Sequence, residues 1–160
     1  MKISVLAVGR LKAGPEQQLA DRYLERLSKA GPAVGLEFAG VVEFPESRAR
    51  SAPERRREEA DRLRGQIAAG TALLLLDERG RNFSSEDLAH RIGGFRDAGR
   101  RGLAFALGGP DGHEESLRGE AELTLSFGAQ TWPHQLVRIM LAEQLYRAAT
   151  ILSGHPYHRA

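Results

Sequence analysis

The run Thr71-Ala72-Leu73-Leu74-Leu75-Leu76 constrains the fold more than any other stretch. It is continuous and apolar, the pattern of a strand buried on both faces, and such strands belong to parallel sheets with helices above and below. Ile3 to Val8, ended by Gly9, and Leu103 to Leu107 are two more apolar runs. Leu36 to Phe44, bounded by Gly35 and Pro45, and Glu122 to Ser126 read as further strands.

Helical patterns lie between them. Pro15 suits a first helical turn. Leu19, Tyr23, Leu24 and Leu27 then recur at helical spacing until Gly31-Pro32. Glu54 to Ala69 is strongly charged, with a thin apolar face at Ala60, Leu63 and Ile67. Its mixed acids and bases read as a solvated helix, with contact of Arg55-Arg56-Arg57 to RNA phosphate as the other reading. Ser84 caps the next helix, with Asp87 three residues on as in a capping box. Leu88, Ile92 and Phe95 carry that helix to about Ala98. A short helix spans Glu114 to Arg118, and a long one starts near Trp132 or Pro133 and runs to about Leu152.

Strands and helices alternate throughout, so the expectation is an α/β fold: a mostly parallel sheet of about five strands flanked by helices. With 160 residues and no repeat, linker or low-complexity segment, the chain reads as one domain, 1–160. No cysteine is present, which removes disulfides and thiolate metal sites. Met1-Lys2 leads at once into ISVLAV, which is too short for a signal peptide and lacks a small-residue cleavage site. No apolar run approaches membrane-spanning length. These features lead to the expectation of a cytoplasmic protein without membrane contact. The net charge of +2 does not announce a nucleic-acid binder. Its make-up is more suggestive, because only Lys2, Lys12 and Lys29 among the 23 Lys and Arg residues are lysine. Arg suits phosphate, although a bias toward Arg, Ala and Gly codons is the plainer account of most of them.

In an open parallel sheet, ligands gather at the carboxyl ends of strands. Three ends here carry unusual loops: Leu76-Asp77-Glu78-Arg79-Gly80, Gly108-Gly109-Pro110-Asp111-Gly112 and Phe127-Gly128-Ala129-Gln130-Thr131-Trp132. If their strands are neighbours, the loops form one pocket. The Gly-Gly pair lets backbone approach a ligand closely. No Gly-Lys-Ser/Thr follows it, and the first strand–helix junction lacks Gly-x-Gly-x-x-Gly. These absences argue against a nucleoside triphosphatase and a dinucleotide-binding domain. Asp77 reads either as a ligand-facing group or as a polar strand end at the surface. Trp132 reads as a shield over an aromatic ligand or as packing at the helix start. His134 sits in a first turn whose dipole disfavours protonation, and reads as a cap or packing residue.

The only Trp and three of the five His lie from Thr131 onward. The chain ends on His155-Pro156-Tyr157-His158-Arg159. His and Tyr stack on bases, while Arg contacts phosphate or stabilises an anion. His155 and His158 have a spacing that can bind metal, but no Cys accompanies them and Pro156 breaks the helix, so no metal site is expected. The helix before this tail is apolar on most of its circumference, from Leu136 to Leu152, as in helices buried on both sides. A homodimer with this helix at the interface is the simplest account, and a fully internal helix is the alternative.

Taken together, these residues resemble a known family. They are Val5-Leu6-Ala7-Val8-Gly9, Leu76-Asp77 with Gly80, Gly108-Gly109-Pro110-Asp111-Gly112, and Leu125-Ser126 with Thr131. Pro133-His134, Leu136-Val137-Arg138, Glu143-Gln144-Leu145-Tyr146-Arg147-Ala148 and His155-Pro156-Tyr157-His158 complete the set. The chain resembles, over its whole length, the bacterial ribosomal large-subunit pseudouridine N3-methyltransferases of the SPOUT class. The resemblance implies a SPOUT-type α/β fold with a C-terminal trefoil knot and a homodimer with its site at the interface. It also implies S-adenosyl-L-methionine as methyl donor and ribosomal RNA or the ribosome as partner. By position, the cofactor residues are Leu76, Gly108 and the run Phe127, Gly128, Ala129, Gln130, Thr131 and Trp132, the last six contributing mainly backbone. His155, Tyr157, His158 and Arg159 are the expected catalytic residues: one His to orient or deprotonate the base, Tyr157 to stack or hydrogen-bond, Arg159 to hold an anion or phosphate. The rival reading is a non-catalytic RNA-binding or ribosome-associated dimer, which the same tail and Arg-rich helix would serve.

Overall fold

The computed structural model describes residues 1–158; of His158 it describes the backbone, and Arg159, one of the expected site residues, lies outside the described residues. The chain runs β1 (Lys2–Val8), α1 (Pro15–Ala30), β2 (Glu37–Phe44), α2 (Ala52–Arg64), β3 (Thr71–Asn82) and α3 (Ser85–Asp97). It continues through β4 (Gly102–Leu107), α4 (Glu115–Glu120), β5 (Leu123–Ser126) and α5 (His134–Ser153). The five strands form one sheet in the order β2-β1-β4-β3-β5. Every pairing is parallel.

The order sorts the helices. The steps β1 to β2 and β3 to β4 go one way along the sheet, and the steps β2 to β3 and β4 to β5 go the other. Right-handed crossovers then put α1 and α3 on one face and α2 and α4 on the opposite face. The core divides accordingly. Leu27 of α1, Leu88 and Ile92 of α3, and Leu141 and Leu145 of α5 pack on Ile3, Val5, Leu74, Leu103 and Phe105. Ala60 and Leu63 of α2 and Leu117 of α4 pack on Leu6, Val8, Leu73, Leu75, Ala104 and Ala106. Alternate residues of the same strands thus serve opposite faces.

Three expectations change. β3 does not end at Leu76 but resumes pairing at Arg81 and Asn82. α2 starts at Ala52 and stops at Arg64, short of Ala69, and holds a complete capping box between Ser51 and Glu54. At Ser84 only the serine half is present, its hydroxyl accepting from the Asp87 N–H at 3.0 Å. α5 packs against both α1 and α3, which covers Leu141, Leu145, Ala148 and Ala149 within the chain, while Val137, Ile139 and Met140 are only partly buried. Leu136, at the start of the helix, is still 41% exposed.

Candidate functional site

β3 lies between β4 and β5, so the three unusual loops are adjacent. They enclose a cavity of about 420 Å³.

The first wall is an arch. Leu76 and Arg81 both pair with Leu125, so residues 77 to 80 leave the sheet and return to it. Asp77 is not a polar strand end at the surface: its side chain is 5% exposed and ion-paired with Arg118. Its Oδ1 also accepts from the Arg79 N–H at 2.9 Å, which fixes the bend. The arch closes at Gly80, where an added Cβ would stand 2.6 Å from the Leu125 carbonyl carbon. Only glycine lets the two backbones meet there.

The second wall is Gly108 to Gly112. Gly109 and Gly112 bridge each other, with the Gly112 N–H donating to the Gly109 carbonyl at 3.0 Å. His113 follows and is buried. Its Nε2–H donates to the Leu76 carbonyl at 3.0 Å and ties this wall to the end of β3. Burial holds the ring below its ordinary pKa of 6.5, against the opposing pull of the Leu76 hydrogen bond and of Asp77. His113 is therefore a neutral donor. The Leu76 carbonyl keeps a second lone pair for a ligand.

The third wall is 127 to 132. The Ser126 hydroxyl donates to the Gly128 carbonyl at 2.9 Å, and the Gly128 N–H donates to Asn82 Oδ1 at 3.2 Å. Gly128 has φ +117, which a side chain would resist. The Trp132 indole N–H donates to the Phe127 carbonyl at 3.3 Å and folds the ring back over its own loop. Trp132 is 38% exposed at the lip. Leu76, Gly108, Phe127, Gly128, Gln130, Thr131 and Trp132 all line the cavity; Ala129 does not. His134 and Val137 add the N-terminal turn of α5. His134 makes no side-chain cap, because Pro133 occupies that position.

The tail lies elsewhere. The Tyr157 ring sits 4.6 Å from that of Tyr146, with the Arg147 guanidinium 5.1 Å from its centroid. Its hydroxyl donates to Glu143 at 3.1 Å. Burial first, then Glu143 and Tyr23, push its pKa up to about 12, so it is a donor rather than a base. His155 is exposed, and its Nδ1 accepts from the Tyr157 N–H at 3.1 Å. This cluster belongs to the C-terminal half of α5, whereas the cavity meets the N-terminus of that 20-residue helix, which is about 30 Å long. One chain thus assembles the expected cofactor residues but does not bring the described catalytic candidates to them. Among the described residues no group of three or more His, Asp or Glu is arranged to hold a metal.

Sequence reasoning missed His113 and Arg118. The position of His113 directly after the Gly-rich loop was a signal. Arg118 gave none, since its partner Asp77 lies 41 residues away.

A cavity walled by glycine-rich loops at the carboxyl ends of a parallel sheet is a small-ligand site of the α/β type. The chain belongs to the SPOUT methyltransferase family: the family model described as predicted SPOUT methyltransferase matches residues 1–158. The chain is similar to ribosomal RNA large subunit methyltransferase H of Mesorhizobium japonicum, at 68% identity over the whole of both chains. The protein of that name from Chelativorans sp. is 64% identical, over 99% of this chain and 91% of its own. That from Rhizobium meliloti is 60% identical over the whole of both chains. Among solved structures, the SpoU methyltransferase AviRb of Streptomyces viridochromogenes aligns with 96% of this chain and 61% of its own, at 16% identity and a TM-score of 0.44.

Proposed function

We propose that this methyltransferase moves a methyl group from S-adenosyl-L-methionine to N3 of a pseudouridine in 23S ribosomal RNA, as a cytoplasmic homodimer. One observation carries the reading. The three loops that the resemblance assigns to the cofactor line one cavity of about 420 Å³. The relatives' names, at up to 68% identity over the full length, support the ribosomal RNA substrate.

The residues present fit the cofactor. The volume is in the range of cofactor pockets. Leu76, Leu107, Leu125 and Val137 give it apolar walls, and Gly108 and Gly128 bring bare backbone to its surface, the Gly128 carbonyl keeping one lone pair beside its bond from Ser126. When bound there, S-adenosyl-L-methionine would supply an electrophilic sulfonium methyl for transfer to N3, with cleavage of the C–S bond and loss of the N3 proton. Leu76, Gly108, Phe127, Gly128, Gln130 and Thr131 fix the donor, and Trp132 covers the mouth. In-line alignment of the two reactants is their main contribution.

The N3 proton needs an acceptor, and His155 or His158 is the side chain suited to neutral pH. Tyr157 stacks on the base or, once released from Glu143, donates a hydrogen bond to it, and Arg159 holds the developing anion or a phosphate. These groups act on the partner's cavity, because within one chain the tail turns back onto Tyr146 and Glu143. Trp132 and Leu136 lie one turn apart, both more than a third exposed, and form an apolar lip for that partner. Arg81 and Arg91 stack on Phe83 at 5.2 and 4.8 Å beside Asn82, and among the described residues neither pairs with a carboxylate. They are free for RNA phosphate. On this reading the knot of the family has its crossing where Gly80 lies on the 124–125 backbone.

The test is mass spectrometry of ribosomal RNA from cells lacking the gene. One methylpseudouridine is lost and returns with the gene; an unchanged spectrum overturns the substrate. Calorimetry with S-adenosyl-L-methionine gives a binding isotherm, and its absence overturns the cofactor.

A further inference from the structure

Helix α2 reads from sequence as a solvated charge run, yet its cavity-facing side is spent on one loop. Arg55 holds Asp111 with two bonds, Nε to Oδ2 at 2.6 Å and Nη2 to Oδ1 at 3.1 Å. Arg55 also donates to the Ala49 carbonyl at 3.1 Å, tying the approach to α2 to the same aspartate. Arg56 reaches the Asp111 carbonyl at 3.4 Å. One turn on, Glu59 is buried. Its Oε1 accepts from the Ser47 N–H at 2.9 Å, while Oε2 has no partner among the described residues. A Cβ on Gly109 would stand 2.9 Å from that Oε2 and 3.1 Å from Val8 Cγ1. The Gly109 backbone therefore rests on the Glu59 carboxyl and on the end of β1.

This seat occupies a particular place. In doubly wound sheets the ligand crevice opens between neighbouring strands whose connections leave in opposite directions. β4 meets that condition with both of its neighbours, β1 and β3. The cavity lies on the β3 side, over β4, β3 and β5, while Glu59 lies on the β1 side, against the Gly109 backbone, with the Gly108–Gly112 loop as the partition between the two places.

We infer that α2 is the positioning element of the cofactor cavity: Arg55 and Glu59 hold the Gly108–Gly112 loop against the ends of β1 and β4, and thereby set cofactor affinity. The inference rests on the cofactor reading given above. Arg55 and Glu59 are positioning residues, acting through Asp111 and Gly109. Burial raises the pKa of Glu59, which suits a carboxyl that serves by shape.

The ion pair can be broken from either side. Arg55→Gln and Asp111→Asn should each weaken S-adenosyl-L-methionine binding about tenfold by calorimetry, and the double variant should be no weaker than either single. In turnover the loss should fall on the cofactor KM, with kcat at saturation within about twofold and the RNA KM unchanged, because a mispositioned wall removes binding common to ground and transition states. Glu59→Gln keeps the seat and should bind within about twofold of the parent, while Glu59→Ala removes it and should not. If Arg55→Gln does not fold, Asp111→Asn carries the comparison from the loop side. Unchanged affinity in Asp111→Asn, additive losses, or a loss confined to kcat overturns the inference. An absent isotherm in the parent protein instead overturns the cofactor reading, so the two failures are distinct.

Discussion

The two faces of the sheet are built from alternate residues of the same strands but do different work. Toward α1, α3 and α5, β4 presents Leu103, Phe105 and Leu107; toward α2 and α4 it presents Ala104 and Ala106. The first face is a deep apolar layer and supplies most of the burial that drives folding. The second is thin, and its small side chains let α2 come close. What it lacks in apolar depth it carries in ion pairs: Arg55 with Asp111, Arg64 with Glu114 and Glu120, Arg118 with Asp77. Asp111 and Asp77 belong to cavity walls, and Glu114 directly follows His113. One face holds the sheet together, and the other holds the loops to the sheet.

The contrast is testable. Phe105→Ala, in the deep layer, should cost about 4 kcal/mol in denaturant unfolding. Its folded fraction should bind cofactor as the parent does; weakened binding at full folding would erase the distinction between the faces. Gly80→Ala lies where the arch meets β5 and should cost about 3 kcal/mol, since backbone rather than a movable side chain meets the new methyl. A melting temperature equal to the parent's would refute the close crossing. Ala106→Val should force α2 outward at about 2 kcal/mol and weaken cofactor binding more than Phe105→Ala does.

His113 gives a smaller effect, with a definite sign. Its folded pKa lies below the ordinary 6.5, so the unfolded chain takes the proton more readily. The contribution of His113 to stability is full above about pH 6.5 and is lost as the pH falls through the folded pKa. Urea midpoints at pH 7 and 5.5 should separate less in His113→Gln than in the parent. Glu59, raised by burial, acts in the opposite sense, so the variant must be read against the parent. An equal pH dependence in both would remove His113 as the cause. Leu136→Glu should shift folding stability by less than about 0.5 kcal/mol, yet lower the fraction of the proposed dimer in sedimentation. An unchanged dimer would move the interface away from the cavity lip.

Much of this was legible. Apolar runs gave β1, β3 and β4, shorter mixed segments gave β2 and β5, and Pro15, Gly31 and Ser84 marked helix ends close to those observed. The three loops were identifiable from their composition at strand ends. Strand order was not legible, because pairing β3 between β4 and β5 depends on contacts far apart in sequence. For the same reason β3 was cut at Leu76: Arg81 and Asn82 are strand only because β5 pairs with them. The role of α2 was hidden because Arg55 and Asp111 are 56 residues apart, and a charge run looks the same whether its partners are water or a distant loop. The apolar circumference of α5 was legible, with a dimer contact and an internal helix as the two readings; the groove between α1 and α3 covers part of it.

That groove has a consequence for biosynthesis. The chain's last long helix closes a surface laid down by its first. At roughly 5–20 residues per second, some seconds separate completion of β4 from arrival of α5. During that interval the side of α1 and α3 meant for α5 is bare, and exposed apolar surface of this kind promotes aggregation. Chains cut short before His134 should therefore be cleared or precipitate instead of persisting as inactive folded protein, and the cavity, whose last wall is the start of α5, should be the final part of the molecule to form.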